Sequence, residues 1–309
     1  MHRTLLAITL SLWSLTTMAQ PQVVASILPI HSLVAGVMQD ITEPELLLRG
    51  GSSPHDYRLR PSDVRTLNQA DVVFWVGAEL ETVLARPLAQ APAQAVALMD
   101  TPGMELLPLR EGGLWEAHDH GHGHGHGHDH HHHHHGDEDA HIWLEPGRAA
   151  LMVEHIATVL SEHDPTHAEQ YQHNAASVIA RLHALEDEIV ATLASVRTIP
   201  YIVFHDAYQY FEDRFGTLAV GSITLNPERR PGARRIIDIR QRIAERGASC
   251  VFSEPQFEPT LVTTLIEGTE ARSGVLDPLG ATLTPGPDAY FHLLNGLAEA
   301  LRECLEPRV

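Results

Sequence analysis

Short apolar runs alternate with longer stretches of helical periodicity along most of the chain. The first half contains runs at 23–27, 45–48, 71–76 and 95–99, and the second half at 201–204, 218–220, 249–252 and 274–276. Apolar runs of this length that alternate with helix-like segments are typical of parallel strands joined by crossover helices. The pattern therefore predicts an α/β protein with two similar lobes, each built on a parallel sheet.

One long amphipathic helix is predicted between the two lobes. Asp164 and Pro165 form a helix-start signal, and apolar residues then recur at spacings of three and four as far as Val196. A helix over 165–197 would span about 45–50 Å at 1.5 Å per residue. A flexible linker would instead be rich in Gly and Ser. We therefore expect the lobes to be joined by one long rigid helix. The cleft between the two lobes is where we expect a ligand to bind.

The first 19 residues have the features of a cleavable secretory signal peptide. Arg3 provides a basic start, residues 5–15 are an apolar run, and 17–19 form a small-residue cleavage site. The apolar run is shorter than the roughly 20 residues that a membrane span needs, and no later segment reaches that length without charges. No Cys follows Ala19 to carry a lipid. We therefore expect a periplasmic protein without direct membrane insertion.

These patterns predict four divisions of the chain. They are a signal peptide at 1–19, an N-terminal lobe at 20–147, a helical region at 148–198 that contains the linker helix 165–197, and a C-terminal lobe at 199–309. Two lobes of roughly 100–150 residues are each large enough to bury a hydrophobic core.

Charge and cysteine content narrow the class of partner. The formal net charge is −19, and it becomes −20 without the signal peptide, which carries Arg3 and no acidic residue. This acidity disfavours nucleic acid and anionic lipid and favours cations as ligands. Cys250 and Cys304 are an even pair in a chain that we expect to be exported, which predicts one disulfide. Two free buried thiols are the alternative.

The segment 108–140 breaks the alternation of strands and helices. It interleaves His with Gly and is bracketed by Asp and Glu, so it has little to bury, and we interpret it as a disordered acidic loop within the first lobe. Its imidazoles would offer weak, interchangeable zinc sites. A repeat without function is the alternative. The histidines concerned are His118, His120, His122, His124, His126, His128, His130, His131, His132, His133, His134 and His135.

Outside this loop, three histidines lie in turn-like contexts at the edges of predicted strands. His55 follows the second apolar run, His141 follows the His-rich loop, and His205 ends the fifth run. Open α/β sheets bind their ligands at such edges. Asp277 occupies the same strand-end position in the second lobe, and Glu254, at another strand end, is expected to support the site. Three imidazoles with one oxygen suit tetrahedral zinc, whereas manganese usually recruits more carboxylates.

The segments around these four candidate ligands resemble the ligand motifs of a known family. They read GSSPHDYRLRPS at 51–62, DAHIWL at 139–144, FHDAY at 204–208 and LDPLG at 276–280. They are similar to the motifs of periplasmic metal-binding proteins that serve zinc and manganese importers.

Within that family, the chain most resembles the periplasmic component of the high-affinity zinc ABC importer. Manganese-binding relatives commonly have a carboxylate at the position of His205, and zinc-binding relatives often have a His-rich acidic loop before the position of His141. The pair Cys250 and Cys304 also resembles the disulfide of the zinc branch. One departure is Pro54, which stands where some relatives have Glu, so that Asp277 or water is left for the fourth position.

The resemblance implies a receptor that captures Zn²⁺ as a transported ligand and releases it to an inner-membrane ABC permease without catalysing a reaction. We expect a monomer. The main alternative is a secreted mononuclear zinc hydrolase that uses the same three histidines, with Glu254 or Asp206 as general base. The absence of an HExxH motif disfavours this alternative. A surface adhesin of the same fold is a further alternative, disfavoured by the missing lipid-anchor cysteine.

Overall fold

The computed structural model of the chain describes residues 20–49, 51–110, 115, 137–224, 231–257 and 260–307. The predicted signal peptide at 1–19 and the histidines from His118 to His135 lie outside these ranges.

The first lobe contains a parallel sheet with the strand order β2-β1-β3-β4. Its strands are β1 (Val23–Ala25), β2 (Glu45–Leu46), β3 (Val72–Trp75) and β4 (Gln94–Ala97), and the helices of this lobe are α1 (Leu28–Val37), α2 (Pro61–Gln69) and α3 (Thr82–Gln90). Every residue of β1 and β3 is buried. Parallel strands covered on both faces lose the alternation of polar and apolar residues, which explains why they form continuous apolar runs in the sequence.

The second lobe repeats this topology with the strand order β6-β5-β7-β8. Its strands are β5 (Pro200–His205), β6 (Leu218–Thr224), β7 (Cys250–Ser253) and β8 (Arg272–Val275), and its helices are α6 (Gln209–Phe215), α7 (Ala233–Arg246) and α8 (Thr260–Ile266). In each sheet the first strand along the chain is paired with the second and the third. The predicted α/β fold with two similar lobes on parallel sheets is therefore confirmed.

Three longer helices, α4 (Pro146–His163), α5 (Ala168–Leu193) and α9 (Ala289–Leu305), pack between and against the lobes. The long helix predicted between the lobes is α5, and its buried residues recur at the predicted spacing. At 1.5 Å per residue its 26 residues span about 39 Å, less than predicted, and a 3-10 turn at Pro165–His167 precedes it. After Leu193 the chain continues in turns, in which the amides of Val196 and Arg197 both donate to the Leu193 carbonyl.

The predicted disulfide is present and joins β7 to α9. Cys250 and Cys304 are bonded, with their Cα atoms 6.2 Å apart. The bond ties the last helix to the second sheet. The same helix also reaches the first lobe, where the Tyr290 amide donates to Ser32 Oγ at 2.9 Å. In the described part of the chain, no helix is both long enough and apolar enough to cross a bilayer.

Both ends of the segment predicted to be disordered are ordered. Pro108 forms an antiparallel bridge with Glu138, the Leu109 amide donates to the Asp137 carbonyl at 2.8 Å, and the Asp139 amide donates to the Leu107 carbonyl at 2.8 Å. The predicted boundaries of 108 and 140 are thus wrong, because backbone pairing orders both ends. We call residues 107–110 and 137–139 the stem.

Candidate metal centre

The structure brings the three predicted histidines together. His55 lies in the 3-10 turn Pro54–Asp56, His141 directly precedes the 3-10 turn Ile142–Leu144, and His205 is the last residue of β5. One nitrogen of each ring lies within 4.8 Å of the others, and the ring centroids are 5.3–5.6 Å apart. Residues far apart in the sequence therefore present three imidazoles to one point.

The spacing of two of these rings matches a metal shell. Nε2 of His141 and Nε2 of His205 are 3.3 Å apart. Two nitrogens bound to a tetrahedral zinc ion at about 2.0–2.1 Å are separated by about 3.3–3.4 Å. The pair is therefore already placed as two ligands of one ion would be.

A buried carboxylate lies behind each of these two rings. Asp139 Oδ1 is 2.6 Å from Nδ1 of His141 and also accepts from the His141 amide at 3.0 Å. Glu254 Oε1 is 2.6 Å from Nδ1 of His205. A proton on Nδ1 that is donated to the carboxylate leaves the lone pair of Nε2 facing the cluster. Each carboxylate thus sets the orientation and the tautomer of its histidine.

Of these two carboxylates, Glu254 was predicted from the sequence to support the site, whereas Asp139 was not. The available signal was position, because Asp139 stands two residues before His141 within the same motif.

Burial and mutual repulsion keep two of the imidazoles neutral. Burial, together with the charge of His205, lowers the pKa of His141 to about 3. Burial and the charges of both neighbours lower the pKa of His55 well below its ordinary value. Burial also opposes a charge on His205, but attraction and hydrogen bonding from Glu254 outweigh it and raise the pKa of that ring. Neutral imidazole is the form that binds a metal ion.

The surroundings of the cluster are largely apolar. Pro54, Trp143, Phe257 and Leu279 line the pocket around the three rings. The Trp143 ring lies 5.2 Å from that of His141 and is fixed by a hydrogen bond from its Nε1 to the Pro278 carbonyl at 2.8 Å. Apolar walls exclude water, which strengthens the interaction of the rings with a charged ion.

Asp277, the predicted fourth ligand, is not brought into the cluster. Its Oδ1 accepts from the amides of Leu279 and Gly280 at 3.1 and 3.0 Å and from Nε2 of Gln256 at 3.0 Å, and its Oδ2 accepts from the Ala281 amide at 2.6 Å. Both oxygens therefore hold the turn that follows β8, as Asp side chains often do in turns. Among the described residues, the converging donor atoms come from His55, His141 and His205 alone.

Comparisons with known proteins identify the family of the chain. A family model described as the periplasmic zinc-uptake complex component A, ZnuA, matches residues 23–304. The high-affinity zinc uptake system protein ZnuA of Brucella abortus is 50% identical, with 92% of this chain and 91% of the relative covered. Its counterpart in Yersinia pestis is 38% identical, with 99% and 98% covered.

A crystal structure of ZnuA has the same fold, with a TM-score of 0.76 at 22% identity over 93% of this chain and 100% of that one. The family is a component of zinc uptake and not an enzyme, as the sequence resemblance predicted, so the hydrolase alternative is set aside. Because the family model spans nearly the whole described chain and one relative is half identical to it, the chain belongs to the ZnuA family of periplasmic zinc-uptake components.

Proposed function

We propose that this protein captures zinc in the periplasm with His55, His141 and His205 and delivers it to an inner-membrane ABC permease. The observation that carries the proposal is the convergence of three imidazole nitrogens within 4.8 Å. The family supports zinc as the cargo, since the relatives are named as high-affinity zinc uptake proteins. The donor set also favours zinc, because neutral imidazoles suit it better than they suit manganese.

Water takes the fourth position of the zinc ion in this proposal. The Asp277 carboxylate is engaged by three backbone amides and Gln256, and reaching the ion would break those hydrogen bonds. A shell with three protein ligands and one exchangeable water suits an ion that must later leave the site.

The remaining parts of the proposal concern export and the His-rich segment. The signal peptide at 1–19 directs the chain to the periplasm, and the protein works there as a monomer. The histidines from 118 to 135 bind zinc weakly and gather it near the cleft, with affinity that falls as the pH drops through the ordinary imidazole pKa of about 6.5.

The variants His55→Ala, His141→Ala and His205→Ala test the site. They are best made in a chain that lacks residues 118–135, so that zinc titration against a competing chelator reports the cleft alone. The parent should bind one zinc ion tightly, and each variant should bind it at least about tenfold more weakly. His183→Ala, which removes an exposed histidine of α5, is the matched control. Unchanged affinity in all three cleft variants would refute the site.

Delivery is tested by growth under zinc limitation. In a strain that lacks this protein, the wild-type gene should restore growth in chelator-treated medium, and the His205→Ala gene should not. Equal rescue by both genes would show that the cleft does not supply the permease.

A further inference from the structure

Arg110, in the stem, is held between two carboxylates from the second half of the chain. Its Nε donates to both oxygens of Asp206 at 3.0 and 3.1 Å, and its Nη2 donates to Asp206 as well. Its Nη1 donates to Glu212 Oε2 at 2.6 Å. The three side chains are only 18%, 8% and 8% exposed, and the Trp115 ring covers the guanidinium with its centroid 3.5 Å away. Arg110 is therefore a largely buried link between distant parts of the chain.

Glu212 lies in helix α6, and the rest of the stem is bonded to the same helix. The Leu107 amide donates to the hydroxyl of Tyr210 at 3.0 Å, and that hydroxyl donates to the Asp139 carbonyl at 2.7 Å. Tyr210 thus forms hydrogen bonds with both segments of the stem. Asp139 in turn orients His141.

The bonds of the stem therefore reach two of the three histidines. Asp139, in the stem, is hydrogen-bonded to His141. Arg110, also in the stem, binds Asp206, which directly follows His205. Moving Nε2 of His141 and Nε2 of His205 apart would open the shell of a zinc ion bound between them. The contacts of the stem with Asp206 and α6 oppose that movement.

We propose that Arg110 is a positioning residue that holds the two sides of the cleft together and slows the release of zinc. This inference rests on the proposed function, because it requires zinc to occupy the cleft. The guanidinium suits this task because its planar fork binds two carboxylates at once, which the single ammonium of lysine cannot do in the same geometry. Without it, Asp206 and the buried Glu212 would lie next to each other without the cation that pairs them.

The rate of zinc dissociation separates this role from a purely structural one. A residue that only stabilises the fold lowers the unfolding temperature when it is replaced but leaves the release of zinc unchanged. Replacing a residue that holds the cleft together speeds dissociation and has little effect on association. The full mature chain is loaded with zinc and mixed with excess EDTA in a stopped-flow instrument, and the kinetic phase that is lost in His205→Ala is assigned to the cleft.

Arg110→Gln should speed the cleft phase at least tenfold and change the association rate less than threefold. Arg110→Lys should fall between Arg110→Gln and the wild type. Arg181→Gln is the matched control, because Arg181 also pairs with a carboxylate, Asp288, and stacks on a ring, that of Phe291, but makes no bond to the stem. Its dissociation rate should equal that of the wild type.

Glu212→Gln, which keeps the shape of the side chain, provides a second test if Arg110→Gln does not fold. It should speed dissociation as well, and the double variant should show less than the product of the two single effects, since both break the same link. Cleft dissociation within twofold of the wild type in both Arg110→Lys and Glu212→Gln would overturn the inference. Failure of the proposed function would look different, because the wild-type protein would then lack the phase that depends on His205.

Discussion

The hydrogen bond between Glu254 and His205 allows the role of the orienting carboxylates to be tested quantitatively. Glu254 is 2% exposed, and its Oε1 lies 2.6 Å from Nδ1 of the ring. Hydrogen bonds that involve a charged group contribute about 1.5–3 kcal/mol. A neutral hydrogen bond that replaces it contributes about 0.5–1.5 kcal/mol, so Glu254→Gln should cost about 1–1.5 kcal/mol. At about 1.4 kcal/mol per tenfold change, zinc binding should weaken about 5- to 12-fold. Glutamine has the same shape and can still accept from Nδ1, so the loss reports the charge.

The choice of pH decides whether this loss can be measured. Burial opposes a proton on His205, but Glu254 more than compensates and raises the pKa of that ring, so below the raised pKa a proton competes with zinc in the wild type. Glu254→Gln removes this competition, and at low pH the gain would mask the lost affinity. Chelator competition at pH 8 reduces this effect, because fewer protons then compete with zinc, and Glu303→Gln, on the exposed face of α9, is the control. A dissociation constant at pH 8 within threefold of the wild-type value would refute the reasoning.

Two further predictions concern stability. Glu81 accepts hydrogen bonds from the amides of Val76 and Gly77, and burial raises the pKa of its carboxyl group from 4.5 to about 7. The proton on Glu81 therefore contributes stability that is complete below pH 4.5 and is lost as the pH rises through 7. Glu81→Gln imitates the protonated form, so in urea unfolding it should be more stable than the wild type by up to about 3 kcal/mol at pH 8 but not at pH 4. Equal urea midpoints of the two proteins at pH 8 would contradict this. Cys304→Ala should lower the free energy of unfolding by about 4 kcal/mol, because the disulfide closes a loop with a separation of 54 residues, and an unchanged urea midpoint would count against this entropic estimate.

The strands and the positions of the three histidines were predictable because each depends on a local pattern. Strands buried on both faces leave continuous apolar runs, so β1, β3, β5 and β7 are visible in the sequence. Parallel strands also place their carboxyl ends at one edge of the sheet, which is why His205 could be assigned to the cleft before the structure was known.

The direction of a side chain at such an edge could not be predicted in the same way. Asp277 lies after β8 as expected, but its carboxylate is taken by the amides of the next turn. Whether a short carboxylate faces the cleft or its own backbone depends on the backbone angles of a few residues, which leave no hydrophobic pattern. The end of α5 at Leu193 is a similar case, since the apolar spacing continues to Val196 although the helix does not.

The stem was missed because its pairing joins two short segments across a long insertion. Residues 107–109 and 137–139 have neither the length nor the alternation of ordinary strands, and their order comes from contacts with the distant Tyr210 and Asp206. The composition of the insertion between them differs from that of the rest of the chain, but composition could not show where the fold resumes.

The two orienting carboxylates also explain how three neutral ligands can hold a doubly charged ion. Imidazoles provide no negative charge to offset Zn²⁺, and an uncompensated charge in an apolar pocket is costly. Asp139 and Glu254 lie directly behind two of the rings, where carboxylates compensate the charge of a bound cation without touching it. Charge compensation and coordination are thus carried out by different groups. In the proposed site, release of the ion would require breaking only bonds to nitrogen and water, while both carboxylates would stay hydrogen-bonded to the protein.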